Sequence, residues 1–275
     1  MSLDHHHTLD TAIAIAKEAG AFITKRQKSI RPETAGSNLG IATKSTARDF
    51  VTDVDRESQQ LIVSRLQEHF PQHGILGEEE GADHNGSPGC PYTWVIDPVD
   101  GTCPFLHGRE DFGVILALQN ERDTEIGVIF LPRRNELFYA IRGKGAFFNG
   151  KPVVLRNTRN MNDAILCSNL IHRLQDIDGV TMVSAPFCAN VENYGCAARE
   201  IGEILKGCND GVFFLGPRLW DLAAGFMMIE EAGGKAFYEF TEPDNMRSAL
   251  RGYASTTPIF EELKEWMDTK MEKTL

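Results

Sequence analysis

The chain has 275 residues, of which 42% are hydrophobic and 24% charged, and its formal net charge at pH 7 is -11. This length and composition are those of a globular protein with one large domain or two small ones around a sizeable core. The acidic balance argues against a protein that clamps a nucleic-acid backbone, which requires a basic surface. A small anionic substrate remains compatible with it, because bound metal ions reverse the sign of the field locally.

The six cysteines are scattered along the chain, without a Cys-x-x-Cys pair or the spacing of zinc ligands. In a chain of this length we interpret them as reduced thiols, which favours the cytoplasm. No apolar run approaches the length of a membrane span, and the first residues lack the basic and apolar regions of a signal peptide. We therefore expect a cytoplasmic protein without a membrane partner.

The first 150 or so residues carry two helix patterns followed by strands. Apolar residues at helical spacing predict helices from Thr8 to about Lys28 and from Asp53 to Phe70, where Pro71 ends the second one. The polar segment 29–46 is predicted to be a loop, and Asn149-Gly150 predicts a hairpin. Short links predict antiparallel neighbours among the strands. The predicted strands are Tyr92–Ile96, Val114–Gln119, Ile126–Leu131 and Leu137–Ile141.

Beyond about Pro152 strands alternate with helices, which is typical of a layered α/β arrangement. We therefore divide the chain into an N-terminal α+β part, residues 1–152, and a C-terminal α/β part, residues 153–275. The strands predicted in the second part are Ala164–Cys167, Val212–Leu215 and Ala236–Phe240, and the helices are Cys196–Lys206, Leu222–Ala232 and Ile259–Lys273.

A tight turn after the first predicted strand places Asp97 and Asp100 three residues apart, just before Gly101 and Thr102. Loops of this kind usually carry chemistry, and carboxylate oxygens suit Mg²⁺ or Mn²⁺. Two such ions about 3.5–4 Å apart activate a water and stabilise the leaving oxygen of an in-line displacement. A solvated acidic turn is the plain alternative. The nearby glutamates 78–80, of which at most two can point inward, favour a metal site.

Gly101-Thr102 opens a short helical turn that tolerates Pro104, and amides at a helix start favour an anion. An ordinary helix cap by the preceding aspartate or by Thr102 is the alternative, and both readings can hold. From the residues alone, Lys44 is a surface lysine in a polar stretch. Asp221 is likewise no more than a good N-cap for the apolar helix that follows it.

Three motifs, in this order, resemble those of the inositol monophosphatase family, part of the Mg²⁺-dependent, lithium-sensitive sugar-phosphatase superfamily. They are Gly77-Glu78-Glu79, Asp97-Pro98-Val99-Asp100-Gly101-Thr102 and Trp220-Asp221-Leu222-Ala223-Ala224-Gly225. The resemblance implies a layered αβαβα sandwich and a phosphomonoesterase that uses metal-activated water on a small phosphorylated metabolite.

 The same resemblance implies a homodimer.

Other substrates and another class of function stay open at this point. Phosphatases of the same superfamily act on histidinol phosphate, fructose 1,6-bisphosphate, NADP or 3′-phosphoadenosine 5′-phosphate, and each of these is an alternative to an inositol-phosphate-like or sugar-phosphate substrate. A catalytically weak, metal-binding regulatory protein is the alternative from another class. A factor that associates with nucleic acid is disfavoured by the acidic charge.

The resemblance also implies metal ligands. Glu78, Asp97 and the backbone carbonyl of Val99 would hold a first Mg²⁺. Asp97, Asp100 and Asp221 would hold a second, and Asp221 would also border the substrate. Through water, Glu78 would reach a third, weakly bound ion, so it is expected to take part in catalysis.

Catalytic and phosphate-binding roles follow from the same resemblance. Thr102 would orient the nucleophilic water with support from Asp55, and the amides of Gly101 and Thr102 would receive the phosphate. Lys44 corresponds to a lysine near the active site. Ala197 lies at the start of a helix that borders the substrate.

Two positions depart from the family pattern. Cys103 follows Thr102 where a threonine is usual, and we interpret it as a small packing residue rather than a redox-sensitive thiol. Phe214 stands seven residues before Asp221, where inositol phosphatases have a glutamate that grips the inositol hydroxyls. An aromatic ring cannot accept those hydrogen bonds, although it can stack on a sugar or a base. We therefore expect myo-inositol phosphate not to be the preferred substrate.

Overall fold

The described residues form six α-helices and fourteen strands. The structure is a computed structural model that describes residues 3–29, 42–43, 50–121, 123–169, 187–242 and 245–271. The α-helices in these ranges are α1 (His5–Lys28), α2 (Asp53–His69), α3 (Thr102–Leu106), α4 (Ala197–Leu205), α5 (Leu219–Glu231) and α6 (Phe260–Trp266). The strands are β1 (Ala42–Thr43), β2 (Phe50–Val51), β3 (Gly74–Gly77), β4 (Tyr92–Asp100), β5 (Gly113–Asn120), β6 (Asp123–Leu131), β7 (Glu136–Ile141), β8 (Ala146–Phe148), β9 (Lys151–Pro152), β10 (Ile165–Ser168), β11 (Asn190–Glu192), β12 (Gly211–Leu215), β13 (Lys235–Glu242) and β14 (Asn245–Ser255).

Helices α1 and α2 begin at side-chain caps. Asp4 caps α1, and its carboxylate accepts a hydrogen bond from the His7 amide at 3.1 Å, so the helix starts three residues before the predicted start. At the start of α2, the Thr52 hydroxyl and the Asp55 carboxylate form a capping box, in which each accepts from the backbone amide of the other. This reciprocal bond fixes the position of Asp55 before any tertiary contact is considered.

The seven-stranded sheet has the order β3-β4-β5-β6-β7-β8-β9. Strands β3 and β4 are parallel and every other pair is antiparallel, which confirms the predicted antiparallel neighbours. The predicted hairpin is confirmed at Asn149 and Gly150, whose φ angles are 46° and 81°. Strand β4 runs four residues past its predicted end, and its pairing with β5 is irregular between Asp97 and Asp100. The acidic turn is therefore a bulge at the end of a strand.

The five-stranded sheet has the order β11-β10-β12-β14-β13. Strand β10 is parallel to β11 and β12, whereas β14 is antiparallel to β12 and β13. The sequence did not predict β14, because its residues show no alternation of apolar and polar side chains. Its Gly252 packs so closely on α5 that an added Cβ would come 2.9 Å from Leu222 Cδ1. Tertiary packing, rather than local preference, makes this segment a strand.

The two sheets and the helices form five layers. Helices α1 and α2 pack on one face of the seven-stranded sheet. Helices α4 and α5 fill the space between the two sheets, and α6 packs on the outer face of the five-stranded sheet. This is the αβαβα sandwich that the sequence predicted. The division into two parts near residue 152 stays a prediction. Among the described helices, none has both the length and the apolar character needed to cross a membrane.

Candidate metal and phosphate site

Three carboxylates from distant parts of the chain meet at the end of β4. One oxygen each of Asp97, Asp100 and Asp221 lies within 4.8 Å of the others. The first two sit on the bulge of β4, and the third lies in the first turn of α5. Asp97 and Asp100 are buried and Asp221 is half-buried. Three carboxylates this close repel one another when ionised, unless a cation or protons lie between them.

The pKa values of this trio show the same conflict. Burial, and then the charge of Glu78, raises the pKa of Asp97 well above its usual range. Burial, and then the charge of Asp100, raises the pKa of Asp221 to about 8. Burial also raises the pKa of Asp100, although its hydrogen bonds oppose the shift. Without a cation the trio therefore retains protons near neutral pH, and a hard divalent cation with oxygen ligands is the species that would displace them.

Asp100 is oriented by the start of α4. The Ala197 amide donates to its Oδ1 at 3.1 Å, and the Ala198 amide donates to its Oδ2 at 2.6 Å. The Cys196 thiol also lies 3.0 Å from Oδ2. The Ala197 amide, which the family resemblance assigns to the substrate border, thus contacts a carboxylate of the trio in this structure.

Backbone amides orient the other two carboxylates as well. Asp97 accepts from the Val99 amide at 3.1 Å, and Asp221 accepts from the Arg218 amide at 2.7 Å. Glu78 is half-buried after β3, and its charge raises the pKa of both Asp97 and Asp221. The predicted ligand set is therefore brought to one place from β3, β4 and α5, although the metal roles themselves stay predictions.

Thr102 and Asp55 form a pair beside the trio. The Thr102 hydroxyl lies 3.0 Å from Asp55 Oδ1 and 3.2 Å from the Val99 carbonyl oxygen, and it donates its single proton to one of them at a time. The other oxygen of Asp55 accepts from the Thr52 amide at 2.9 Å and from the Thr52 hydroxyl. The N-terminus of α2 therefore holds Asp55 in place for its contact with Thr102.

Gly101 occupies a position that tolerates no side chain. Its φ angle is +83°, and an added Cβ would come 2.7 Å from the Asp111 carbonyl oxygen and 2.9 Å from the Cys196 Cβ. Glycine is therefore required both by conformation and by space. A hydrogen bond from the Gly101 amide is among the causes that lower the pKa of Asp100. Its predicted role in receiving phosphate stays a prediction.

Three predicted residues have other outcomes. Lys44 lies outside the described residues. Phe214 is 3% exposed and packs in the core between the sheets, so the suggestion that it stacks on a substrate is wrong. Cys103 is exposed on α3, so its interpretation as a packing residue is wrong. Phe214 therefore offers no hydrogen-bond acceptor to the hydroxyl groups of a substrate.

Arg218 is a site residue that the sequence did not reveal. It is half-buried immediately before α5, and its charge lowers the pKa of Asp221 although the two side chains form no ion pair. Six other arginine and lysine side chains are buried or half-buried in the part of the chain whose burial the structure describes, and each forms an ion pair with an acidic side chain. They are Arg26, Arg133, Arg134, Arg199, Lys206 and Arg251. No local pattern marks Arg218, because its position matters only through the tertiary neighbourhood of Asp221.

Comparisons with known proteins agree with this geometry. The model of the inositol monophosphatase family matches residues 4–266. The Nus factor SuhB of Salmonella typhimurium is 34% identical over 233 residues, which cover 83% of this chain and 84% of that protein. The Nus factor SuhB of Pseudomonas aeruginosa is 32% identical over 232 residues, which cover 82% of this chain and 83% of that protein.

Solved structures share the fold over almost the whole chain. The extragenic suppressor protein suhB from Bartonella henselae has a TM-score of 0.80 at 26% identity, covering 96% of this chain and 99% of that chain. The Thermotoga maritima IMPase has a TM-score of 0.79 at 25% identity, covering 98% and 100%. Because curated relatives carry the name Nus factor, the exclusion of nucleic acid that was based on charge has no support.

Proposed function

The chain belongs to the inositol monophosphatase family, and we propose that it is a Mg²⁺-dependent phosphomonoesterase that acts on a small phosphorylated metabolite. One observation carries the proposal: the trio of Asp97, Asp100 and Asp221 lies next to the Asp55–Thr102 pair. The trio suits a hard cation, and the pair suits the orientation of a water molecule.

The donor set fits Mg²⁺. Every side chain of the set offers carboxylate oxygen, and the raised pKa values of Asp97 and Asp221 reflect burial and then the negative charge of neighbouring carboxylates, which a cation would balance. We assign Glu78, Asp97 and the Val99 carbonyl to a first ion and Asp97, Asp100 and Asp221 to a second. When bound, Mg²⁺ would favour the ionisation of water and neutralise charge on the phosphate oxygens.

Thr102 and Asp55 would position the nucleophile. While Asp55 Oδ1 accepts the Thr102 proton, the hydroxyl oxygen keeps lone pairs that accept a hydrogen bond from water. The buried Asp55 is held by the start of α2, so the direction of that hydroxyl is fixed. The pair therefore orients a water molecule for in-line attack, and the amides of Gly101 and Thr102 would receive the phosphate.

Phosphate release in the presence of Mg²⁺ or of EDTA tests this proposal. We expect release with Mg²⁺ only, and we expect Asp97→Asn to abolish it while the protein stays folded. Asp163→Asn is the matched control, because this aspartate is exposed and lies in a different part of the fold. A rate for Asp97→Asn close to that of the wild type in excess Mg²⁺ would rule out the role of Asp97.

Arg218 and Phe214 bear on the substrate. Phe214 is buried, and Arg218 offers a half-buried positive charge near Asp221 without an ion pair to any acidic side chain among the described residues. These two features favour substrates with an anionic group besides the phosphate that is hydrolysed. Fructose 1,6-bisphosphate, NADP and 3′-phosphoadenosine 5′-phosphate have such a group, whereas inositol 1-phosphate and histidinol phosphate do not.

A panel of these five compounds tests the substrate class. We expect kcat/KM to be higher for the three compounds with a second anionic group, and Arg218→Gln to reduce that preference. Arg142→Gln is the control, since this exposed arginine pairs with Glu230 at the opposite end of α5. The same preference in the wild type and Arg218→Gln would show that Arg218 does not select the substrate.

A metal-binding regulatory protein is the second candidate, and the name Nus factor of the relatives favours it. Calorimetric titration with Mg²⁺ beside the turnover assay separates the two candidates. Tight binding of Mg²⁺ without release of phosphate from any compound would support the regulatory function. The homodimer, the inhibition by lithium and the cytoplasmic location stay predictions. Sedimentation, inhibition assays and cell fractionation would test them.

A further inference from the structure

The first turn of α4 surrounds the carboxylate of Asp100. The thiol of Cys196 lies 3.0 Å from Oδ2, and the amides of Ala197 and Ala198 donate to Oδ1 and Oδ2. Cys196 is 2% exposed, and its thiol donates the hydrogen bond in this contact. Both oxygens of Asp100 are thus held from a segment almost a hundred residues further along the chain.

Contacts on its other sides fix the position of Cys196. Its sulfur accepts from the Arg199 amide at 3.4 Å, which makes it the N-cap of α4. The turn before it is held by Glu200, which accepts from the amides of Tyr194 and Gly195 at 2.9 and 3.2 Å. On the opposite side, the space between Cys196 Cβ and Gly101 is too small for another carbon atom. The thiol consequently has little freedom to turn away from Asp100.

We propose that Cys196 is a positioning residue, whose thiol orients Asp100 for a divalent cation. The inference rests on the proposed function, because it takes Asp100 as a cation ligand. Groups that hydrogen-bond to a metal ligand fix its direction, and their loss typically weakens metal binding about 10–100-fold. Cys196 also joins α4, which borders the substrate in the family, to the bulge that carries Asp97 and Asp100. Nothing in the local sequence separates this role from simple packing.

Paired substitutions separate the hydrogen bond from the packing. Cys196→Ser keeps a donor, whereas Cys196→Ala removes it. We expect Cys196→Ala to weaken the Mg²⁺ affinity measured by calorimetry about 10–100-fold and to raise the Mg²⁺ concentration for half-maximal rate by a similar factor. The fall in kcat at saturating Mg²⁺ should be smaller, and Cys196→Ser should bind Mg²⁺ within a few-fold of the wild type.

Cys167→Ala is the control, since it removes a fully buried thiol that contacts Asn209 rather than the trio. It should leave the Mg²⁺ affinity unchanged. If Cys196→Ala does not fold, Cys196→Gly replaces it as the variant without a donor, because glycine needs no space at this buried position and is tolerated at an N-cap.

Two results would overturn the role of Cys196: equal Mg²⁺ affinity in Cys196→Ser and in the variant without a donor, or an equal loss of affinity in Cys196→Ala and Cys167→Ala. Both presuppose a wild type that binds Mg²⁺ and releases phosphate. A wild type that does neither contradicts the proposed function itself, so the two failures are distinguishable.

Discussion

Replacing Asp221 by asparagine should stabilise the metal-free protein. The pKa of Asp221 is about 8 in the folded protein, against an ordinary value of 3.8. At pH 7 this difference costs the folded state about 4 kcal/mol, at about 1.4 kcal/mol for each pH unit between 3.8 and 7. This cost is an upper bound, because the neighbouring carboxyls share the protons. Asparagine removes it and still accepts the hydrogen bond from the Arg218 amide.

The expected gain is about 1–3 kcal/mol, which corresponds to a Tm higher by roughly 3–9 °C for a chain of this size. The assay is thermal unfolding at pH 7 in EDTA and again in excess Mg²⁺. The wild type should gain stability on addition of Mg²⁺, whereas Asp221→Asn should gain little, because a cation ligand is lost. Asp163→Asn should behave as the wild type in both buffers. A lower Tm for Asp221→Asn in EDTA, or an undiminished response to Mg²⁺, would refute the reasoning.

Three further predictions follow from the same geometry. Thr102→Ala should lower kcat about 10²–10⁴-fold at saturating Mg²⁺, whereas Thr102→Ser should retain most of it, because the hydroxyl orients the water; steady-state kinetics measure both. In EDTA, Tm should fall as the pH rises from about 5 to 8.5. Burial raises the pKa values of Asp221 and Glu200 to about 8 in the folded protein, so in this pH range the folded protein binds more protons than the unfolded chain. Mg²⁺ should remove the part of this fall that belongs to Asp221, and a Tm that rises with pH would contradict it. Gly101→Ala should destabilise the fold and abolish activity. The control is Gly143→Ala, which is also at positive φ but has open space around it, so its stability should fall only by the backbone strain. Thermal unfolding compares the two variants.

Local pattern predicted most elements, and the exceptions have physical causes. The stripes of apolar residues in α1 and α2 are signals within one helix, and both helices were predicted. Strand β14 was missed because its residues become a strand only between β12 and β13. Helix α5 begins at Leu219 rather than at the predicted Leu222, which places Asp221 inside its first turn.

The candidate site was predictable only as far as its residues are neighbours in the chain. The spacing of Asp97 and Asp100 indicated a cation site only together with Thr102 and the nearby glutamates 78–80. Asp221 could not be told from an ordinary N-cap by spacing; in the structure it lies in the first turn of α5, and its carboxylate accepts from the amide of Arg218, the N-cap residue. The sequence missed Cys196 because its contact with Asp100 spans 96 residues and leaves no local pattern.

The N-termini of three helices partly compensate the negative charge that is clustered at the site. Asp55 and Asp221 lie in the first turns of α2 and α5 and accept from the amides of the N-cap residues just before these helices, whereas Asp100 accepts amides of the first turn of α4. The N-terminus of a helix carries a partial positive charge and unpaired amides, so each of these carboxylates is partly compensated before any cation binds. This lets an acidic chain bring several carboxylates together in a half-buried site.

The same arrangement decides which substitutions are informative. Alanine at Asp100 or Asp221 would remove a cation ligand and a helix contact at once, so the loss of activity would mix the two effects. Asparagine removes the charge and keeps one acceptor oxygen, which suffices for the Arg218 amide at Asp221 and for one of the two α4 amides at Asp100. We therefore expect alanine variants at these two positions to be less stable in EDTA than the asparagine variants, while neither responds to Mg²⁺ as the wild type does. Equal Tm values for alanine and asparagine variants would show that the helix contacts contribute nothing to the fold.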